Sequence, residues 1–140
     1  MRIRFHAAAV LLALVASQAA LADSPLQKSL RQSVRKPPAA APSSEVVIVM
    51  QIDPARGVKP AEVDAHVQGL VSFLGKQPGY VDGQFLRNIN PANKPRFVHV
   101  TRWKSFDDWE RLFADPAFTA EIDRDSPFVS AVGSAFVPVK

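Results

Sequence analysis

Cysteine is absent from the 140 residues. That absence excludes disulfides, cysteine-bound zinc, iron–sulfur clusters and thiol nucleophiles. Histidine is scarce, and His6, His66 and His99 show none of the H-x-x-x-H spacing that places two imidazoles on one metal. Only six glycines occur and no glycine-rich loop forms, so no phosphate cradle for a nucleotide or flavin is indicated. The apolar run Ala7–Ala16 stops at ten residues, against the ~20 needed to cross a bilayer. A chain of this length holds one domain.

What is present begins with a tripartite leader. Arg2 and Arg4 supply positive charge, Ala7–Ala16 the apolar run, and Ala20-Leu21-Ala22 the small residues of a cleavage site. Residues 1–22 are therefore expected to be a signal peptide cut after Ala22, which predicts a periplasmic or secreted protein with no stable membrane insertion once cut. The net charge of +4 is then local. Two of the cations lie in the leader, and residues 23–45 hold four cations against two acids. From Val46 onward eleven basic residues face eleven acidic ones. A neutral folded part lacks the electrostatic footprint of a nucleic-acid binder, so no nucleic-acid partner is expected.

Residues 23–45 contain Pro25, Pro37, Pro38 and Pro42 among alanines and serines and read as a flexible linker. Leu26, Leu30 and Val34 recur at spacing four and would make a short amphipathic helix able to touch a membrane surface. The linker is the preferred reading. Beyond Ser44 the β-branched run Val46–Ile52 predicts a strand. Pro60 opens a helix whose Val63, Val67, Leu70, Val71 and Leu74 share a face, and Gln77-Pro78-Gly79 stops it. Tyr80–Ile89 and Arg96–Trp103 read as two strands of an antiparallel hairpin around an Asn-Pro turn. Ser105 with Asp108 caps a second helix, broken at Asp115-Pro116, and Val129–Val139 holds a last strand.

The order β-α-β-β-α-β predicts an α+β, ferredoxin-like domain over residues 46–140: a four-stranded antiparallel sheet with two helices on one face. Apolar residues fall on both faces of its strands, so the uncovered face predicts a homodimer.

Pro78-Gly79-Tyr80-Val81, Leu86-Arg87-Asn88, Phe97-Val98-His99-Val100 and Trp103-Lys104-Ser105 with Trp109 together resemble the antibiotic biosynthesis monooxygenase (ABM) domain of the dimeric α/β barrel superfamily. The resemblance covers residues 46–140. It implies a dimer and one of several activities: cofactor-independent oxygenation of phenols and quinols, heme degradation, or none known. Heme-degrading members use an asparagine on the first strand and an axial histidine after the second-helix tryptophan. Here all three asparagines lie around the hairpin turn, and Leu112–Asp125 contains no histidine, so that activity is set aside.

A cofactor-independent oxygenase needs a base or hydrogen-bond partner, polar groups for an anion, and a dry pocket. His99 is assigned the first role and Asn88 and Arg87 the second. Trp103, Trp109, Tyr80 and Phe97 are expected to line the pocket for a small aromatic molecule, with no metal or other cofactor. His99, Thr101, Trp103 and Phe97 share one strand face by period two. Each has a plainer reading: His99 as a hydrogen-bonded core or dimer-face histidine, the tryptophans as core or groove-lining aromatics, Arg87 and Asn88 as the start of the Asn-Pro turn, and Tyr80 as a packing anchor. The rival function is a non-enzymatic periplasmic small-molecule-binding or stress-response module of the same fold.

Overall fold

The computed structural model describes residues 22–36, 38 and 44–139. Apart from Ala22, the leader expected at 1–22 lies outside the described residues. Nine elements follow: α1 (Pro25–Ser33), β1 (Val46–Pro54), α2 (Pro60–Leu74), β2 (Tyr80–Arg87), β3 (Phe97–Trp103), α3 (Phe106–Arg111), a 3₁₀ turn (Leu112–Ala114), α4 (Pro116–Asp125) and β4 (Val129–Phe136). The strands form one antiparallel sheet in the order β2-β3-β1-β4, the expected ferredoxin-like arrangement.

Strand alternation decides the two faces. Val46, Ile48, Met50 and Ile52 of β1 and Phe97, His99, Thr101 and Trp103 of β3 are buried beneath the inner residues of α2 and α4. On the other face Val47, Val49, Val98 and Val100 are half-buried, while Leu86, Val132 and Phe136 are about half exposed. Among the described residues no helix covers this side. Arg102 stands there in ion pairs with Asp82 and Glu45.

Within the flexible linker expected over residues 23–45, Pro25–Ser33 form the docked helix α1, while residues 37 and 39–43 lie outside the described residues. Ser24 caps this helix by accepting from the Gln27 N–H, and Leu26, Leu30 and Val34 are 3%, 1% and 6% exposed. These three residues alone do not stabilise a nine-residue helix in water. Docking on β4 does. The Ser29 hydroxyl donates to the Ala131 carbonyl at 2.6 Å, and the Ser33 oxygen accepts from the Gly133 N–H at 2.9 Å. Gln27 reaches Asp123 of α4, and the Arg31 guanidinium donates to the Phe113 carbonyl while lying over the Phe113 ring.

One smaller difference has a local cause. β2 stops at Arg87 rather than Ile89 because the Asn88 side-chain oxygen accepts from the Asn90 N–H and turns the chain. Gly79 holds φ of 85° between α2 and β2, where a Cβ would overlap Asp108. The predicted cap at Ser105 is present: its hydroxyl oxygen accepts from the Asp108 N–H at 3.1 Å, and the hydroxyl donates to the Asp108 carboxylate at 2.8 Å. Ser105→Ala is expected to cost about 1 kcal/mol, read as a lower urea midpoint with unchanged slope.

Candidate functional site

The helix-covered face of β3 carries the site. His99 stands mid-strand, paired across the sheet with Met50 on β1 and Phe85 on β2. It is 1% exposed, and among the described residues neither ring nitrogen has a hydrogen-bond partner. The Phe85 ring meets the imidazole edge-on at 5.9 Å between centroids and stacks on Phe97 at 5.3 Å. Burial among these apolar groups pushes the His99 pKa down to about 4. The ring is therefore neutral at pH 7, with one nitrogen a donor and the other an acceptor.

Four residues along the same face, Trp103 is fully buried. Its indole N–H donates to the Thr101 hydroxyl at 2.9 Å, and that hydroxyl donates onward to the Ile48 carbonyl. The Trp103 ring is met edge-on by Tyr80 at 5.4 Å and by Trp109 at 5.7 Å. Trp109 in turn meets Phe113, and Phe113 meets Phe118. Five of the residues expected at the site, His99, Trp103, Trp109, Tyr80 and Phe97, thus share one layer between sheet and helices. T-shaped geometry of this kind contributes ~1 kcal/mol per pair beyond burial, so these walls are also part of the core.

The two polar residues expected to hold an anion do not join them. Asn88 is committed to the hairpin: its amide nitrogen donates to the Pro95 carbonyl and its oxygen accepts from Asn90. With its oxygen and one amide N–H serving the hairpin, Asn88 stands outside the layer around His99, where the oxyanion role would have required it. Arg87 shares the inner face but stands at the sheet end, ion-paired to Asp64 of α2 at 2.8 Å, with its guanidinium 5.8 Å from the Phe97 ring centroid. It forms a rim, one ring removed from His99. Phe85, Met50 and Thr101 are site residues that the candidate set omitted. Phe85 and Met50 are found only once the register across β2, β3 and β1 is known, whereas Thr101 was already visible on the His99 face.

One other buried titratable pair lies apart from this layer. The Asp125 carboxylate, 1% exposed, lies 2.9 Å from His66 Nδ1, and among the described residues its second oxygen has no partner. Burial raises the Asp125 pKa, against the opposing pull of His66 and Arg124. His66 stacks on Phe128 at 4.0 Å, so the pair clamps α2 to the end of α4. Among the described residues no group of three or more histidine, aspartate or glutamate side chains is placed to hold a metal ion.

No family model matches the chain, and no curated protein matches it. Solved structures do. A cofactor-independent oxygenase from Streptomyces nogalater, SnoaB, superposes with a TM-score of 0.61 at 23% identity, covering 69% of this chain and 95% of that one. A dabb family protein with a ferredoxin-like fold from Mesorhizobium loti gives 0.54 at 16% identity, covering 69% and 98%. A dimeric protein of unknown function from Bacteroides fragilis gives 0.56 at 12% identity, covering 67% and 96%. The chain has their ferredoxin-like fold. The resemblance read from Pro78 to Trp109 is borne out at that level. At these identities the likeness concerns architecture, and chemistry has to be argued from the side chains.

Proposed function

We propose that this protein is a cofactor-independent monooxygenase acting on a small aromatic or quinol-type substrate. The observation that carries the reading is His99: a buried imidazole with two unpartnered nitrogens inside an aromatic layer. Leaving such a group unsatisfied costs about 1–3 kcal/mol, which an apolar residue at position 99 would avoid. A phenolic or hydroquinone O–H supplies the missing partner, and Trp103, Trp109 and Tyr80 supply rings against which its own ring packs.

The depressed pKa of His99 fits this chemistry when the proton transfer is treated as a pair event. In the free site an imidazolium is disfavoured. Transfer from the substrate creates cation and anion together, and two charges ~4 Å apart attract by about 4 kcal/mol at an effective dielectric near 20. That is on the order of three pKa units, enough to offset the shift to about 4. The substrate anion then reduces dioxygen itself; one oxygen atom ends in the product and the other leaves as water. The protein's share is to hold the anion dry and to carry its proton on His99 until it returns to the oxygen that leaves as water, the second hydrogen of that water coming from the oxidised substrate carbon. The SnoaB likeness supports an oxygenase on this fold.

Two further parts belong to the proposal. The uncovered sheet face, with Leu86, Val132 and Phe136 about half exposed around half-buried valines, is the homodimer interface. The leader exports the chain to the periplasm or beyond. The tripartite pattern of Arg2 and Arg4, Ala7–Ala16 and Ala20-Leu21-Ala22 supports this part of the reading. The experiment that tests the function is oxygen uptake against hydroquinones and anthrones without added metal or flavin.

A further inference from the structure

We propose that the outer edge of β4 is a strand-pairing surface kept closed by α1, and that the partner it fits when open is the β4 edge of a second copy of this chain. β4 ends the sheet, with β1 on one side and, among the described residues, no strand on the other. The outward groups of an end strand are a template for another strand unless they are covered. Here the Ala131 carbonyl and the Gly133 N–H are taken by the Ser29 and Ser33 hydroxyls of α1. Spaced four apart on the helix, these serines meet two residues spaced two apart on the strand.

The strand is built for this contact and hazardous without it. Gly133 has no side chain where Val34, the residue after α1, sits, and a Cβ there would overlap the valine methyl. Ala131 and Ala135 are the flanking small residues on the same face. Residues 129–139 (VSAVGSAFVPV) carry no charge, and an uncharged β-prone segment lacks the usual deterrent to edge pairing. α1 carries Lys28 and Arg31, and Arg35 and Lys36 follow it in the chain. The partner strand is assigned to a second copy because β4 is itself flat in charge and self-complementary in antiparallel pairing.

Two full-length variants separate strand pairing from mere exposure of apolar surface. Gly133→Val and Gly133→Pro both place a side chain against Val34 and displace α1, but only proline also deletes the outward N–H. Displacement is read as faster tryptic cleavage after Lys28 and Arg31, and mass by light scattering after size exclusion. The expected result is that both are cut at least tenfold faster, while only Gly133→Val forms species of at least twice the wild-type mass. Equal association by both variants, or by neither, overturns the proposal. So does a Gly133→Val chain whose α1 stays protected, because the contact on which the edge closure rests would then be absent. Ser29→Ala combined with Ser33→Ala, which leaves Val34 in place, is expected to give the same heavy species in smaller amount.

Discussion

Between pH 7.5 and pH 4 the protein is expected to lose about 3 kcal/mol of stability through His99 alone. Burial lowers this group to about 4 in the folded state, against an ordinary value of 6.5. In that window the unfolded chain binds a proton that the folded chain refuses, so stability rises with pH. The contribution is complete above pH 6.5 and is lost as the pH falls through 6.5 toward 4. Asp125 works the other way. Its raised pKa adds stability below the usual carboxylate range, and that stability fades as the pH climbs. The net fall in the wild-type protein is therefore smaller than the His99 share, and a difference between proteins isolates it. Urea unfolding of wild type and His99→Leu at both pH values should show the wild type losing about 3 kcal/mol more than the variant. Parallel losses in the two proteins would mean that His99 is not buried as described.

Trp103→Ala is expected to cost about 3–5 kcal/mol, the range for deleting a large aromatic from a closed core. Trp103 is fully buried between Tyr80 and Trp109, and its neighbours belong to strands and helices that cannot collapse far into the space. Trp103→Phe should cost only about 1–2 kcal/mol. It removes the indole N–H to Thr101, but the Thr101 hydroxyl keeps the Ile48 carbonyl, so no buried donor is stranded. Urea midpoints at constant slope separate the two. A loss below 1 kcal/mol for the alanine variant would show that the ring lines an open pocket and bears little of the core. Because wall and core are the same residues, activity lost in Trp103→Ala must be read beside its stability.

Much of this arrangement is legible in the residues. The run Val46–Ile52, the five apolar positions after Pro60 and the Ser105 cap each follow from local chemistry, and their order leaves few topologies. Period two puts His99, Thr101 and Trp103 on one strand face. Which face meets the helices is a tertiary fact, decided by where the inner residues of α2 and α4 land. The helix α1 was visible only as spacing: Leu26, Leu30 and Val34 stand four apart, but the groove that receives them is made by Ala131 and Gly133, about a hundred residues later. Local composition, with prolines on both sides, argued for a linker and lost to that docking. Asn88 stands outside the layer for the reverse reason. An amide beside a strand end looks available, yet the hairpin uses both its ends.

The most direct measurement is oxygen uptake by wild type and His99→Ala against hydroquinones and anthrones, with neither metal nor flavin added. The account predicts turnover by the wild type and a fall of at least tenfold in the variant, about 1.4 kcal/mol of barrier. Turnover that survives the substitution would remove His99 from the chemistry. No uptake above background by a folded wild-type protein would contradict the oxygenase reading and leave the fold serving as a binding module.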